Sequence, residues 1–204
     1  MNIDKQGPTA SELVAALQSK FQDKSAQVGI IGLGYVGLPL ALAFTRKGFQ
    51  TTGFDIDPAK VEKLQSGVSY IRHVSDCIIS EHVKNGRFHP TSTFADLRQM
   101  DAILICVPTP LGDQREPDLT YVRNTAEQIS TYLRPGQLIV LESTTYPGTT
   151  DEVVLPIMEK SGLRCPRSSY STDGNTVTSL EGAKMDYAHA REVYQKRLAE
   201  CKVD

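Results

Sequence analysis

Long apolar runs are missing from this chain, and none of its segments approaches the length of a membrane span. The opening residues, MNIDKQGPTASELVAALQSKFQDK, mix acidic and polar side chains and lack the basic-then-apolar order of a signal peptide. A cytoplasmic setting is therefore expected. Neither sign of charge dominates: 22 Lys and Arg stand against 24 Asp and Glu, for a formal net charge of -2. Such a balance gives no electrostatic reason to expect nucleic acid or an anionic membrane as partner. Cysteine is scarce, and Cys77, Cys106, Cys165 and Cys201 form no CxxC pair and no close spacing with histidine. A zinc site, or a metal site of any kind, is not expected. Cys106 lies inside the apolar run AILICV, where burial makes a thiol inert. The histidines (His73, His82, His89, His189) are scattered and read as packing or surface residues. No internal repeat is visible.

What the chain does have is an ordinary globular composition, 40% hydrophobic and 23% charged over 204 residues. That is enough for one ample core with an appendage, and too little for two full-sized domains. Residues 11–22 place Leu13, Leu17 and Phe21 at helical spacing, with Ser11 as the expected N-cap. QVGIIG then reads as a parallel strand covered on both faces, and 36–47 as a helix ended by Gly48. QTTGFD is a second strand and PAKVEKLQSG a helix with Pro58 in its first turn. Residues 76–85 are helical, TFADLRQM is ambiguous, and DAILICV is a buried strand. The helix DLTYVRNTAEQISTYL, the strand QLIVLES and the helix GTTDEVVLPIMEK follow.

Strands alternating with helices at this spacing imply an α/β fold: a Rossmann-like, doubly wound, mostly parallel sheet with helices on both faces. The regularity stops near Cys165. RSSYSTDGNTVTS reads as a loop, and from Leu180 a C-terminal helix is expected, with Tyr187, Ala190, Tyr194, Leu198 and Cys201 on one stripe. That stripe would dock on the domain, meet another chain, a second copy included, or fray. The expected organisation is a helical extension (1–24), a dinucleotide-binding domain (25–165), and a linker with a helix (166–204).

The chemistry centres on Gly32-Leu33-Gly34-Tyr35-Val36-Gly37. A bare GxGxxG is weak, but this one closes a strand, opens a helix and is followed by Asp55 at the end of the next strand. Gly32 permits the tight turn, Gly34 lets the backbone approach a diphosphate, and Gly37 lets the helix pack against the strand. Free N–H groups at the helix start meet the phosphate charge. Asp55 offers a carboxylate to the adenosine ribose and repels the extra phosphate of NADP, so NAD is the expected cofactor. The alternative is a plain glycine-rich turn with Asp55 capping the next loop. Loops 107–110 (VPTP) and 142–149 (ESTTYPGT) lie at later strand ends, with Thr109, Thr144 and Thr145 as small hydroxyl donors or as ordinary turn and cap residues.

GIIGLGYVGLPLA, VPTP and LESTTYPGTT together resemble the nucleotide-sugar dehydrogenases that oxidise a UDP-sugar at C6. SYIRHV resembles the branch acting on UDP-N-acetylhexosamines more than the UDP-glucose branch. The resemblance spans about 27–165. It implies that Tyr35 and Val36 present backbone to the pyrophosphate, that Asp55 and Lys60 hold the adenosine ribose, and that Val107 and Thr109 line the cofactor pocket. Thr145 would sit near the nicotinamide in a supporting catalytic role. The family performs two hydride transfers to NAD through a cysteine-bound intermediate. The matching general-base segment, the long central helix, the Gly-Gly-x-Cys-x-Pro-x-Asp nucleophile motif and the UDP-binding domain have no counterpart here. Neither CPRSS nor AECKVD fits the nucleophile motif. The expectation is a cofactor domain that binds NAD but is inactive alone, with a UDP-sugar as partner only if the remaining part is supplied. A stand-alone NAD-binding or interaction module, or another Rossmann dehydrogenase of a short 3-hydroxyacid type, are the alternatives. SYIRHV and LESTTYPGTT speak against the last, through resemblance.

Overall fold

The structure, a computed structural model, describes residues 8–111, 117–146 and 148–164, together with the backbone of 176–179 and 183–186. Helix α1 (Ala10–Gln22) starts two residues earlier than Ser11 suggests. Thr9 is the cap: its hydroxyl accepts from the Glu12 N–H at 3.3 Å, and its own N–H donates to the Glu12 carboxylate at 2.7 Å. This reciprocal pairing satisfies two end groups at once, which Ser11 has no glutamate three residues on to do.

Five strands follow: β1 (Gln27–Ile31), β2 (Gln50–Phe54), β3 (Phe88–Thr91), β4 (Ala102–Ile105) and β5 (Leu138–Leu141). They form one all-parallel sheet in the order β3-β2-β1-β4-β5. Between them run α2 (Gly37–Arg46), α3 (Pro58–Gln65), α4 (Asp76–Lys84), a 3-10 turn (Phe94–Gln99) and α5 (Thr120–Tyr132). Val28 and Ile30 of β1, with Ala102 and Leu104 of β4, share one core cluster with Leu38, Ala41 and Leu42 of α2. The alternate residues Ile103 and Ile105 turn to the other face and are also fully buried. Each such side chain contributes roughly 1.5–3 kcal/mol by leaving water. Burial fades toward β5, where Leu138 is 42% exposed.

β3 is the strand that periodicity misses, because Pro90 argues against a strand. An edge tolerates it. Arg87 and Thr91 carbonyls accept from Thr51 of β2 and from Asp55 directly after it, so Pro90 between them faces outward. Its carbonyl accepts the Gln65 amide at 2.9 Å. Past β5 the backbone runs as a wide π turn (Thr150–Val154) into α6 (Leu155–Glu159), and Pro156 falls in the first turn of α6, where its missing N–H costs least.

Asp101, 3% exposed, fastens the N-terminal edge of the sheet. Its carboxylate accepts from Lys20 of α1 at 2.8 Å, from the Gln27 N–H at 2.9 Å and from Arg134 at 2.9 Å. Desolvation pushes the carboxyl up, but those three hydrogen bonds outweigh it and hold it below the ordinary value.

Residues 15–163 form one compact unit; the C-terminal stretch belongs to another, described here by itself. There β6 (Thr176–Ser179) pairs antiparallel with β7 (Ala183–Asp186). This corrects two expectations, since 176–179 is strand rather than loop and 183–186 is strand rather than helix. The β-branched Thr176, Val177 and Thr178 favour extended backbone. Tyr187, Ala190, Tyr194, Leu198 and Cys201 lie outside the described residues.

Candidate cofactor site

The glycine turn leaves β1 beneath β2 and β4. Gly32 donates its N–H to the Phe54 carbonyl at 2.8 Å and has φ +90°, and a Cβ there would stand 2.6 Å from the Cys106 carbonyl oxygen. Only glycine fits both demands. A Cβ on Gly37 would overlap the Gly32 carbonyl oxygen, so α2 starts hard against the turn. Gly34 differs, with nothing within 4 Å of its Cβ position. Its bare backbone faces open space. Val36, the residue before α2, makes no side-chain cap. Within the first turn the Leu38 N–H donates to the Gly34 carbonyl at 3.1 Å, and Pro39 has no N–H. The donors for an anion are therefore the backbone N–H groups of the turn itself, up to Gly37.

Asp55 is 5% exposed, and both its oxygens are engaged. Oδ2 accepts from the Leu33 N–H at 2.9 Å, and Oδ1 accepts from the Asp57 N–H at 3.0 Å. The carboxylate thus braces the glycine turn from the neighbouring strand. Lys60 Nζ lies 3.6 Å from Oδ2 and 5.9 Å from the Tyr70 ring centroid. The Tyr70 phenol donates to the Leu33 carbonyl. Burial, then the charges of Asp55 and Asp57, push that phenol far above its ordinary pKa, so it stays a neutral donor. Ile56, directly after Asp55, is 74% exposed, and Tyr35 at the turn is 76% exposed. Two large apolar surfaces left open beside a carboxylate suit a flat ligand.

On the other side of the turn the strand-end loops are tied together. Thr109 Oγ1 donates to the Thr144 carbonyl at 2.8 Å, and Ser143 Oγ donates to the Val107 carbonyl at 2.8 Å. Cys106 is buried, and desolvation followed by the charge of Glu142 pushes its thiol up to about 12. It is a packing thiol.

A cleft of ≈ 840 Å³ runs across these strand ends. Of the residues singled out in the sequence, Gly32, Gly34, Tyr35, Val36, Asp55, Lys60, Val107 and Thr109 line it. Gly37 packs behind the turn instead, and Thr145 does not line the cleft; Thr144 does. The sequence reading missed the wall supplied by α5: Tyr121, Asn124, Thr125 and Gln128. Their i, i+3, i+4, i+7 spacing marks one helix face and was legible in principle. Ile56, Phe94 and Glu142 also line it. Among the described residues, no group of three His, Cys, Asp or Glu side chains could hold a metal ion, and no helix is long and apolar enough to cross a membrane.

Residues 26–177 match the family model described as the UDP-glucose/GDP-mannose dehydrogenase family, NAD binding domain. The chain belongs to this family. NAD is accordingly the cofactor of the domain, and the parallel α/β sheet is its Rossmann fold. The match extends beyond residue 165, where the sequence reading ends the domain.

A UDP-N-acetyl-D-glucosamine 6-dehydrogenase of Pseudomonas aeruginosa is 37% identical over 142 residues, covering 69% of this chain and 33% of that protein. A UDP-N-acetyl-D-mannosamine dehydrogenase of Pyrococcus horikoshii is 33% identical over 139 residues, 68% of this chain and 33% of its own length. Among solved structures, an NDP-N-acetyl-D-galactosaminuronic acid dehydrogenase from Methanosarcina mazei Go1 superposes with TM-score 0.68 at 28% identity, over 78% of this chain and 35% of the other. This member of the family therefore spans about a third of the length of the curated relatives it matches.

Proposed function

We propose that this chain is the cofactor-binding part of an NAD-dependent dehydrogenase that oxidises a UDP-N-acetylhexosamine at C6 to the uronic acid. The observation that carries the proposal is the glycine turn braced by Asp55, with Gly34 bare toward the cleft and the start of α2 uncapped. The substrate class rests on the relatives, several of which are dehydrogenases of UDP-N-acetylhexosamines.

These residues fit NAD. The backbone at Gly34, Tyr35 and Val36 would hold the diphosphate, with the Gly37 N–H and the positive end of the α2 dipole beside it. Asp55 would accept from the adenosine ribose hydroxyls, with Lys60 beside it, while Ile56 would cover one face of the adenine. Since Oδ1 and Oδ2 already accept backbone N–H groups, their remaining lone pairs would serve the ribose. Val107 and Thr109 would line the pocket beyond the turn. Thr145, bordering rather than lining the cleft, would act as a positioning residue next to Thr144. When bound, NAD supplies the hydride acceptor; the protein supplies binding and orientation.

Calorimetric titration with NAD and NADP, before and after Asp55→Ala, tests the assignment. NAD is expected to bind far better than NADP to the unmutated chain, and the substitution to abolish most of that preference. Equal affinity for NADP in the unmutated chain would show that Asp55 does not read the ribose.

A further inference from the structure

We propose that Glu142 is the residue by which this cleft distinguishes oxidised from reduced nicotinamide cofactor. The inference deepens the cofactor reading above and rests on it. With strand order β3-β2-β1-β4-β5, Asp55 ends β2, the glycine turn ends β1, and Glu142 directly follows β5. Neighbouring strands lie ~4.8 Å apart, so Glu142 stands about 10 Å from the glycine turn, on the side away from Asp55. A dinucleotide with its diphosphate at the turn and its adenosine at Asp55 sends its other nucleoside toward β4 and β5.

Glu142 is well placed to act there. Its N–H donates to the Ile105 carbonyl at 2.9 Å, which fixes the main chain, and its side chain lines the cleft. Its carboxylate also stands near the neighbouring strand end, where its charge adds to burial in raising the Cys106 thiol. The other titratable groups lining the cleft are Cys106 from the β4 end, Tyr121 from α5, and Tyr35, Asp55, Asp57 and Lys60 at the far end. Lys60 is drawn to Asp55, so the field at the β5 end is that of the Glu142 carboxylate.

Oxidised nicotinamide carries a formal positive charge on its ring nitrogen, and the reduced ring carries none. A carboxylate near the ring in a partly dewatered cleft therefore attracts one form only. Glu142 keeps open surface at the cleft mouth, yet desolvation still raises its carboxyl above the ordinary value.

The experiment is calorimetry on the full chain and on Glu142→Gln with three probes: NAD, NADH and ADP-ribose, which lacks the ring. The substitution is expected to weaken NAD by about tenfold near neutral pH and to leave NADH and ADP-ribose unchanged. In the unmutated chain NAD affinity should fall as pH is lowered through the raised carboxyl range of Glu142, and in Glu142→Gln it should not. Equal losses for all three probes would mark a structural role and overturn the proposal, as would an unmoved ratio of NAD to NADH affinity. If the unmutated chain binds none of the three, the cofactor reading itself falls, and this inference with it.

Discussion

Gly34 and Gly37 sit three residues apart and answer to different neighbours. Gly34 faces open space, so an added methyl would meet the ligand rather than the protein. Gly37 meets the Gly32 carbonyl, so an added methyl there must move backbone. Gly37→Ala is expected to lower stability by about 1–3 kcal/mol through overpacking, read as a lower Tm. It should also weaken NAD, because the mouth of α2 shifts with it. A variant melting like the parent would show that α2 is not pressed against the turn. The positions of these two glycines and of Asp55 at the strand-to-helix turn were legible in the sequence, because they follow from the backbone path alone. Glu142 and Ile56 were not legible as cleft residues, since nothing local distinguishes them from other strand-end side chains. Thr145 and Thr144 exchange places for a similar reason: a shift of one residue along a loop leaves the composition unchanged.

Elements written in strong periodicity were legible, as with β1, α2, β4 and α5. The strand β3 was not, because four residues with a proline carry no pattern until the neighbouring β2 supplies the hydrogen bonds. The face α5 turns to the cleft was overlooked for a different reason: polar residues at helical spacing read as a solvated surface unless a loop opposite makes them a wall. The attachment of α1 depends on partners distant in sequence, Lys20 on Asp101 and Phe21 against Phe49, with ring centroids 5.8 Å apart. Asp101 binds fewer protons folded than unfolded near its ordinary value of 3.8, so its contribution is complete above that pH and fades as pH falls below it. Asp101→Asn should lower stability by about 1–2 kcal/mol at neutral pH, limited because Lys20 and Arg134 remain partly in water. The gap between parent and variant should narrow below about pH 4 in urea titrations. A gap of constant size down to strongly acidic pH would rule out the carboxylate as the cause.

At the scale of the whole molecule, the compact unit 15–163 contains the cofactor cleft with its tied loops. The sequence carries no nucleophile motif, and Cys106, the one cysteine lining the cleft among the described residues, is a buried thiol pushed up to about 12. The chain is therefore expected to bind NAD in calorimetry and to produce no NADH absorbance with UDP-N-acetylglucosamine or UDP-N-acetylmannosamine. Measurable turnover would show that chemistry is carried by residues not assigned here. Residues 176–179 and 183–186 were not legible as strands, because four-residue β-branched and polar segments hold no period long enough to separate loop, hairpin and helix.

The outer margin at β3 has a consequence for how the molecule behaves in company. Pro90 has no hydrogen to offer a passing strand, and Gln65 already occupies the oxygen beside it. A foreign chain approaching the rim at Pro90 finds neither half of a ladder rung there, which interrupts templated pairing along this side.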